Sequence, residues 1–268
     1  MTSPWLAILY ALFVWWFSTG TIMLVVRWAD RGDGAAHRRA VLLALPMLAL
    51  GVLATGVSLW MPTFLGAYLG FTGALAIWGW IEMAFLAGIV TGPLRDDCPP
   101  GLNGLARFQR GWSTVAHHEL LLTVGLLGLV LASTGAENKV ALMAYLILYF
   151  ARIFAKLNLF FGVPRINTEF VPARLQHLKS YFRRGPVTFA FPMAITALTT
   201  AFAALIARVI EAQTDEATVA YALLIALAGL ALVEHWLMVV PLPDAKLWRW
   251  MLPAPKTMTQ AERQTHGL

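Results

Sequence analysis

Charge is scarce in this chain. Only 13% of its 268 residues are Asp, Glu, Lys or Arg, where a soluble domain of this size carries roughly 25%. With 59% hydrophobic residues and a mean hydropathy of +0.68, most of the chain is suited to lipid as its solvent. Cysteine is nearly absent too: Cys98 stands alone, which excludes an internal disulfide and any multi-thiolate zinc or iron–sulfur site within one chain. Gly-rich phosphate-binding motifs, a nucleophile-elbow serine and nucleic-acid-binding motifs are all lacking, so nucleotide-driven, serine-hydrolase and nucleic-acid-binding functions have no support. The apolar runs do not alternate and are too long for barrel strands. The first of them, Trp5 to Val26, has no basic residue before it and exceeds a signal-peptide core, so it reads as a retained span.

What is present is a series of apolar runs at about 4–27, 40–61, 64–91, 113–134, 138–162, 187–211 and 217–240. Each is long enough to cross the hydrocarbon core as a helix, where the backbone satisfies its own hydrogen bonds. The expected fold is therefore an all-α polytopic bundle of seven transmembrane helices, forming one domain over 1–268 without internal repeat or linker. Basic residues fall in alternate connections: Arg27, Arg31, Arg38 and Arg39; then Arg95, Arg107 and Arg110; then Arg165, Arg174, Lys179, Arg183 and Arg184; then Lys246, Arg249, Lys256 and Arg263 in the tail. Only Lys139 and Arg208 face the other side. The positive-inside rule places the N-terminus in the periplasm and the C-terminus in the cytoplasm. The net charge of +6 then belongs to a basic cytoplasmic face beside anionic lipids.

Residues 173–184 are expected to form an interfacial helix, with Leu175, Leu178, Tyr181 and Phe182 near one face. Of the eleven tryptophans, Trp5, Trp60, Trp112, Trp236, Trp248 and Trp250 fall near span ends as belt residues. Trp15, Trp16, Trp78 and Trp80 lie deeper, where they serve helix packing or line a pigment or lipid pocket.

Ionisable groups inside spans are costly and mark a site or a structural ion pair. Here Glu82 is on the third span, His117, His118 and Glu119 on the fourth, Arg152, Lys156 and Asn158 on the fifth, and Glu234 and His235 on the seventh. All fall in the cytoplasmic halves of their helices. Three readings stay open. In the first, Glu82, Glu119 and Glu234 neutralise Arg152 and Lys156, an i, i+4 pair, with Asn158 in the same network. A metal centre of iron or manganese could draw on Glu82, His118, Glu119, Glu234 and His235, although adjacent helical residues point about 100° apart and the Glu-x-x-His spacing of di-iron bundles is missing. An imidazole of His117, His118 or His235, beside Trp80 and Trp236, could instead ligate the metal of a tetrapyrrole.

The stretches Phe13 to Gly20 (FVWWFSTG), Trp78 to Phe85 (WGWIEMAF), Cys98 to Leu102 (CPPGL), Ala155 to Phe170 (AKLNLFFGVPRINTEF) and Glu234 to Leu252 (EHWLMVVPLPDAKLWRWML) extend from the first span to beyond the last. They resemble the photosynthetic complex assembly protein PuhE family of purple phototrophic bacteria, with Arg165 where the family pattern has asparagine. The resemblance implies a multi-pass protein of the bacterial inner membrane that assists assembly of the reaction centre and core light-harvesting antenna. Implied partners are their apoproteins or pigment-synthesis enzymes, and the implied cargo is bacteriochlorophyll or a precursor. No catalytic residues come with it. The rival expectation is a metal-dependent membrane oxidoreductase acting on a tetrapyrrole or isoprenoid; a transporter with Glu82, Lys156 and Glu234 along its path is disfavoured by the lack of an inverted repeat.

Overall fold

The computed structural model describes residues 2–241; Lys246, Arg249, Lys256, Arg263, Trp248, Trp250 and the last part of the Glu234 to Leu252 stretch lie outside the described residues. Eight α-helices follow one another: α1 (Pro4–Asp30), α2 (Ala36–Leu43), α3 (Leu45–Ser58), α4 (Phe64–Leu86), α5 (Gly104–Ala132), α6 (Val140–Phe161), α7 (Ala190–Ile210) and α8 (Asp215–Leu237). Among the described residues, seven helical segments are long and apolar enough to cross a membrane, α2 and α3 together making the one from Ala36 to Ser58. The break between them follows from Pro46, which lacks the N–H that would bond back to Leu42. Other ends carry local signals as well. Thr63 and Thr214 cap α4 and α8 by accepting from the backbone N–H of Gly66 and Ala217, each at 3.2 Å.

Two boundaries differ from those expected. The fourth span begins at Gly104 rather than near 113, because the helix continues through Arg107 and Arg110, which a hydropathy window penalises. The helix of the third span, α4, ends at Leu86 rather than 91: the chain turns at Gly88 (φ +69°) and runs back along α5. There Leu94 N–H donates to Ser113 O (3.3 Å) and His118 N–H donates to Thr91 O (2.9 Å). A Cβ on Gly92 would come within 2.0 Å of Ser113 O, so only glycine permits this approach.

Helix α4 is the central post, with 61% of its apolar window buried against 44% or less for every other span. The odd-numbered spans, α1, α4, α6 and α8, run in one direction and pack through their first halves: Ala7 and Ala11, Phe71 and Ala74, Ala141 and Ala144, Leu223 and Leu224 share one core. Hydrophobicity gives helices no reason to associate in lipid, and small residues compensate by letting backbones approach closely. The tightest example is the α3–α4 hairpin, where Gly51, Thr55 and Ser58 face Gly70 and Gly73.

The segment 163–186 closes the basic end. Ala173–Tyr181 is a 3-10 helix kinked at Leu175, with Leu175, Leu178 and Tyr181 buried; Leu175 and Leu178 pack on Phe85. Arg107 fixes the segment by donating to Phe160 O (3.2 Å) and Tyr181 O (2.6 Å). Arg165 N–H donates to Met238 O (3.0 Å), tying the segment to the end of α8.

A Cβ on Gly73 would meet Thr55 Oγ1 at 2.5 Å and Gly51 O at 2.8 Å, whereas one on Gly56 meets nothing within 4 Å. Gly73→Ala should therefore destabilise the purified protein by about 1–3 kcal/mol, as overpacking does, and lower its thermal midpoint in detergent. Gly56→Ala should leave the midpoint unchanged.

Candidate functional site

Packed at their first halves, α1, α4, α6 and α8 diverge towards the basic end, and with α5 and the 165–182 segment they enclose a cavity of about 950 Å3. This is near the upper end of the roughly 300–1,000 Å3 of small-molecule sites. Its walls carry Trp15 and Ile22 from α1, Trp78 and Phe85 from α4, Phe108 and Trp112 from α5, and Phe160 from α6. Phe108 and Trp112 are both exposed and cavity-lining, which places them at its mouth.

Five polar residues converge on one side of the cavity: Glu82, Glu119, Arg152 and Lys156 line it, and His118 is sealed behind them. Arg152 Nη2 donates to Glu82 Oε2 at 2.9 Å, joining α6 to α4. Lys156, one turn further along α6, forms an ion pair with Glu119 of α5 and lies 3.0 Å from His118 Nδ1. An ammonium donates, so Nδ1 accepts and the ring carries its proton on Nε2. That nitrogen lies 3.6 Å from Glu82 Oε1, so the imidazole sits between the two ion pairs. Phe85 packs against His118 with ring centroids 4.2 Å apart and planes tilted by 31°, and has Arg152 and Lys156 at 5.7 and 5.4 Å from its ring centre, distances at which cations are attracted to the ring face. Glu234 lines the same cavity.

The remaining sequence-derived candidates are placed elsewhere. His117 is on the exposed face of α5. Trp80 donates Nε1–H to Val41 O (3.2 Å) and packs near α2 rather than lining the cavity. Trp236 is half-exposed, edge-on to Phe191. His235 is buried, with Nδ1 2.7 Å from Ala231 O, and its Nε2 has no partner among the described residues; it is not a cavity wall. Asn158 is fully buried with neither amide atom hydrogen-bonded there, and it too is off the cavity. Trp15 and Trp78 line the cavity as pocket candidates, while Trp16 does not. Among the described residues no three of His, Cys, Asp and Glu are arranged to hold a metal ion: the Lys156 amine occupies the point where His118 Nδ1 and Glu119 Oε1 converge.

Residues 1–259 match the family described as "Protein of unknown function (DUF3623)". The chain belongs to that family. It is also 48% identical over 255 residues, 95% of this chain and 93% of the relative, to the protein of Rhodobacter capsulatus titled "Uncharacterized 30.4 kDa protein in puhA 5'region". No solved structure matches.

For this DUF3623 protein the sequence pointed to the acids and bases and, through Trp15 and Trp78, to part of the cavity's apolar side. Phe85, Phe108, Trp112 and Phe160 become recognisable only when α5 and α6 are seen to face α1 across the void. The composite can hold a large, mostly apolar molecule against aromatic rings while offering carboxylates and cations to its polar groups.

Removing one member of a buried ion pair leaves the other uncompensated, at a cost of about 3–5 kcal/mol when burial is complete. Arg152 is 32% exposed and Glu82 12%, so the penalty here should be smaller. Thermal unfolding of Glu82→Met, Arg152→Met and the double variant should show each single change more destabilising than the pair. Additive losses would mean that the two side chains do not depend on each other.

Proposed function

We propose that the protein is an inner-membrane assembly factor for bacterial photosynthetic reaction centre and core light-harvesting complexes, and that its cavity receives bacteriochlorophyll or a precursor for delivery to apoproteins or exchange with pigment-synthesis enzymes. The observation that carries this reading is the cavity: about 950 Å3, walled by tryptophan and phenylalanine, with a charged cluster on one side. Its volume and aromatic walls suit a flat macrocycle with a long apolar substituent. The relative in the puhA 5' region supports a photosynthesis gene-cluster context, in line with the resemblance to the PuhE family.

In this scheme the aromatic rings hold the macrocycle, while Glu82 and Lys156, each already paired, offer a carboxylate oxygen and an ammonium to its carbonyl and ring-metal environment. The imidazoles of His118 and His235 are not cavity walls, so pigment retention rests on the cavity as a whole. The N-terminus is periplasmic and the cavity opens towards the cytoplasmic leaflet.

Protein purified in mild detergent from a phototrophic host should carry the absorption bands of a bacteriochlorophyll or precursor. Trp78→Ala combined with Phe85→Ala should lower pigment per protein several-fold. Pigment-free protein with one or two iron or manganese ions per chain would replace this reading with the metal-dependent oxidoreductase.

Orientation has its own test. Alkaline phosphatase fused after Pro62 should be active in the periplasm and inactive when fused after Asp33, and the reverse pattern would invert the topology.

A further inference from the structure

We infer that the rim of the cavity binds the anionic head of a long amphiphile, and that Arg27 is the residue that takes the anion. This rests on the cavity being a ligand site, as proposed above, and adds the chemistry and the direction in which the ligand lies.

Along α1 and its C-cap, Trp15, Thr19, Met23, Arg27 and Arg31 line the cavity; at intervals of four they form a band that winds about 40° per step around the helix. The band is apolar at its inner end and doubly cationic at its outer end. Twelve residues separate Trp15 from Arg27, about 18 Å of helix at 1.5 Å per residue. A ligand lying along it has an apolar body of that length and a head at the two guanidiniums, beside Asp30, which lines the same rim.

The acids near Arg27, Asp30 and Glu169, attract it without forming an ion pair with it within 4.0 Å. Asp30 is turned to His37, whose Nε2 is 2.8 Å from its Oδ1. Glu169 and Glu234 also line the cavity, and neither forms an ion pair with Arg27 within 4.0 Å. The inner cations are engaged elsewhere, Arg152 with Glu82 and Lys156 with Glu119. An arginine near the end of a span ordinarily turns its head to water. Arg27 Nη1 is instead sealed from solvent and has no hydrogen-bond acceptor among the described residues. A buried guanidinium N–H without an acceptor is costly, and a carboxylate or phosphate is its strongest partner.

Two sources share this chemistry: a tetrapyrrole with its propionic acid free, and an anionic phospholipid. The test titrates full-length protein in phosphatidylcholine nanodiscs with bacteriochlorophyllide as the free acid and as its methyl ester, for the wild type, Arg27→Gln and Arg27→Lys. Native mass spectrometry records retained phosphatidylglycerol against phosphatidylcholine. The wild type should bind the acid at least roughly tenfold more tightly than the ester, as a charge-assisted hydrogen bond implies. Arg27→Gln should abolish that preference at unchanged ester affinity, and Arg27→Lys should keep part of it. If neither tetrapyrrole binds, the pigment reading fails while the anion site is judged on lipid: phosphatidylglycerol retained by the wild type and lost from Arg27→Gln upholds it. Equal wild-type affinity for acid and ester with no preference for phosphatidylglycerol overturns it without recourse to any variant, as does full selectivity in a folded Arg27→Gln protein.

Discussion

A guanidinium and an ammonium one helical turn apart on α6, Arg152 and Lys156, must be neutralised in an apolar bundle, and the carboxylates come from two other helices. Glu82 reaches across from α4 and Glu119 from α5. These pairings tie three helices together at one depth, where hydrophobicity provides no mutual attraction. The backbone is shaped to the same end. The turn at Gly88 returns the chain along α5, and His118 donates its N–H to Thr91 within a few residues of the charges.

The two ends of the bundle solve different packing problems. At the end remote from the basic loops, alanine and glycine bring α1, α4, α6 and α8 close together, and α3 nests on α4 through Gly51 and Gly73. Towards the basic end these helices carry Trp15, Trp78, Phe85, Arg152 and Lys156, whose volume and charge oppose equally close packing. The helices diverge, and the space between them becomes the cavity. The 163–186 segment covers it because Arg107 offers two donors to backbone carbonyls that would otherwise end unpaired, at Phe160 and Tyr181. Burial raises the pKa of the Tyr181 phenol, keeping its hydroxyl a neutral donor to Asp96 O at 3.2 Å.

Depth was legible in the sequence, and azimuth was not. Apolar run length located seven spans, and the same counting placed the polar residues of four spans in the halves nearest the basic loops. The i, i+4 spacing of Arg152 and Lys156 also put them on one face. Which way a residue points relative to a neighbouring helix depends on packing, so Glu234 and His235, adjacent in sequence, part company: the carboxylate lines the cavity and the imidazole is sealed away from it. Asn158 is separated from Lys156 in the same manner. The start of α5 was obscured because Arg107 and Arg110 resemble a loop to any measure of hydropathy, yet both belong to the helix.

The pair His118 and Glu119 shows how tertiary context changes what a local spacing allows. Helical neighbours point about 100° apart, so they are poorly placed to grip one small ion. A lysine is less demanding: its three donors and four-carbon stem let a single Nζ engage Glu119 and His118 together. The amine thereby fills the position a metal would need and fixes the tautomer that turns Nε2 towards Glu82. Because these cations are engaged within the wall, an incoming ligand meets a polar surface already close to neutral, and selectivity for a charged ligand falls to groups outside the pairs. Arg27 at the outer end of the α1 band is such a group, so discrimination by head and accommodation of the apolar body are assigned to different parts of one cavity.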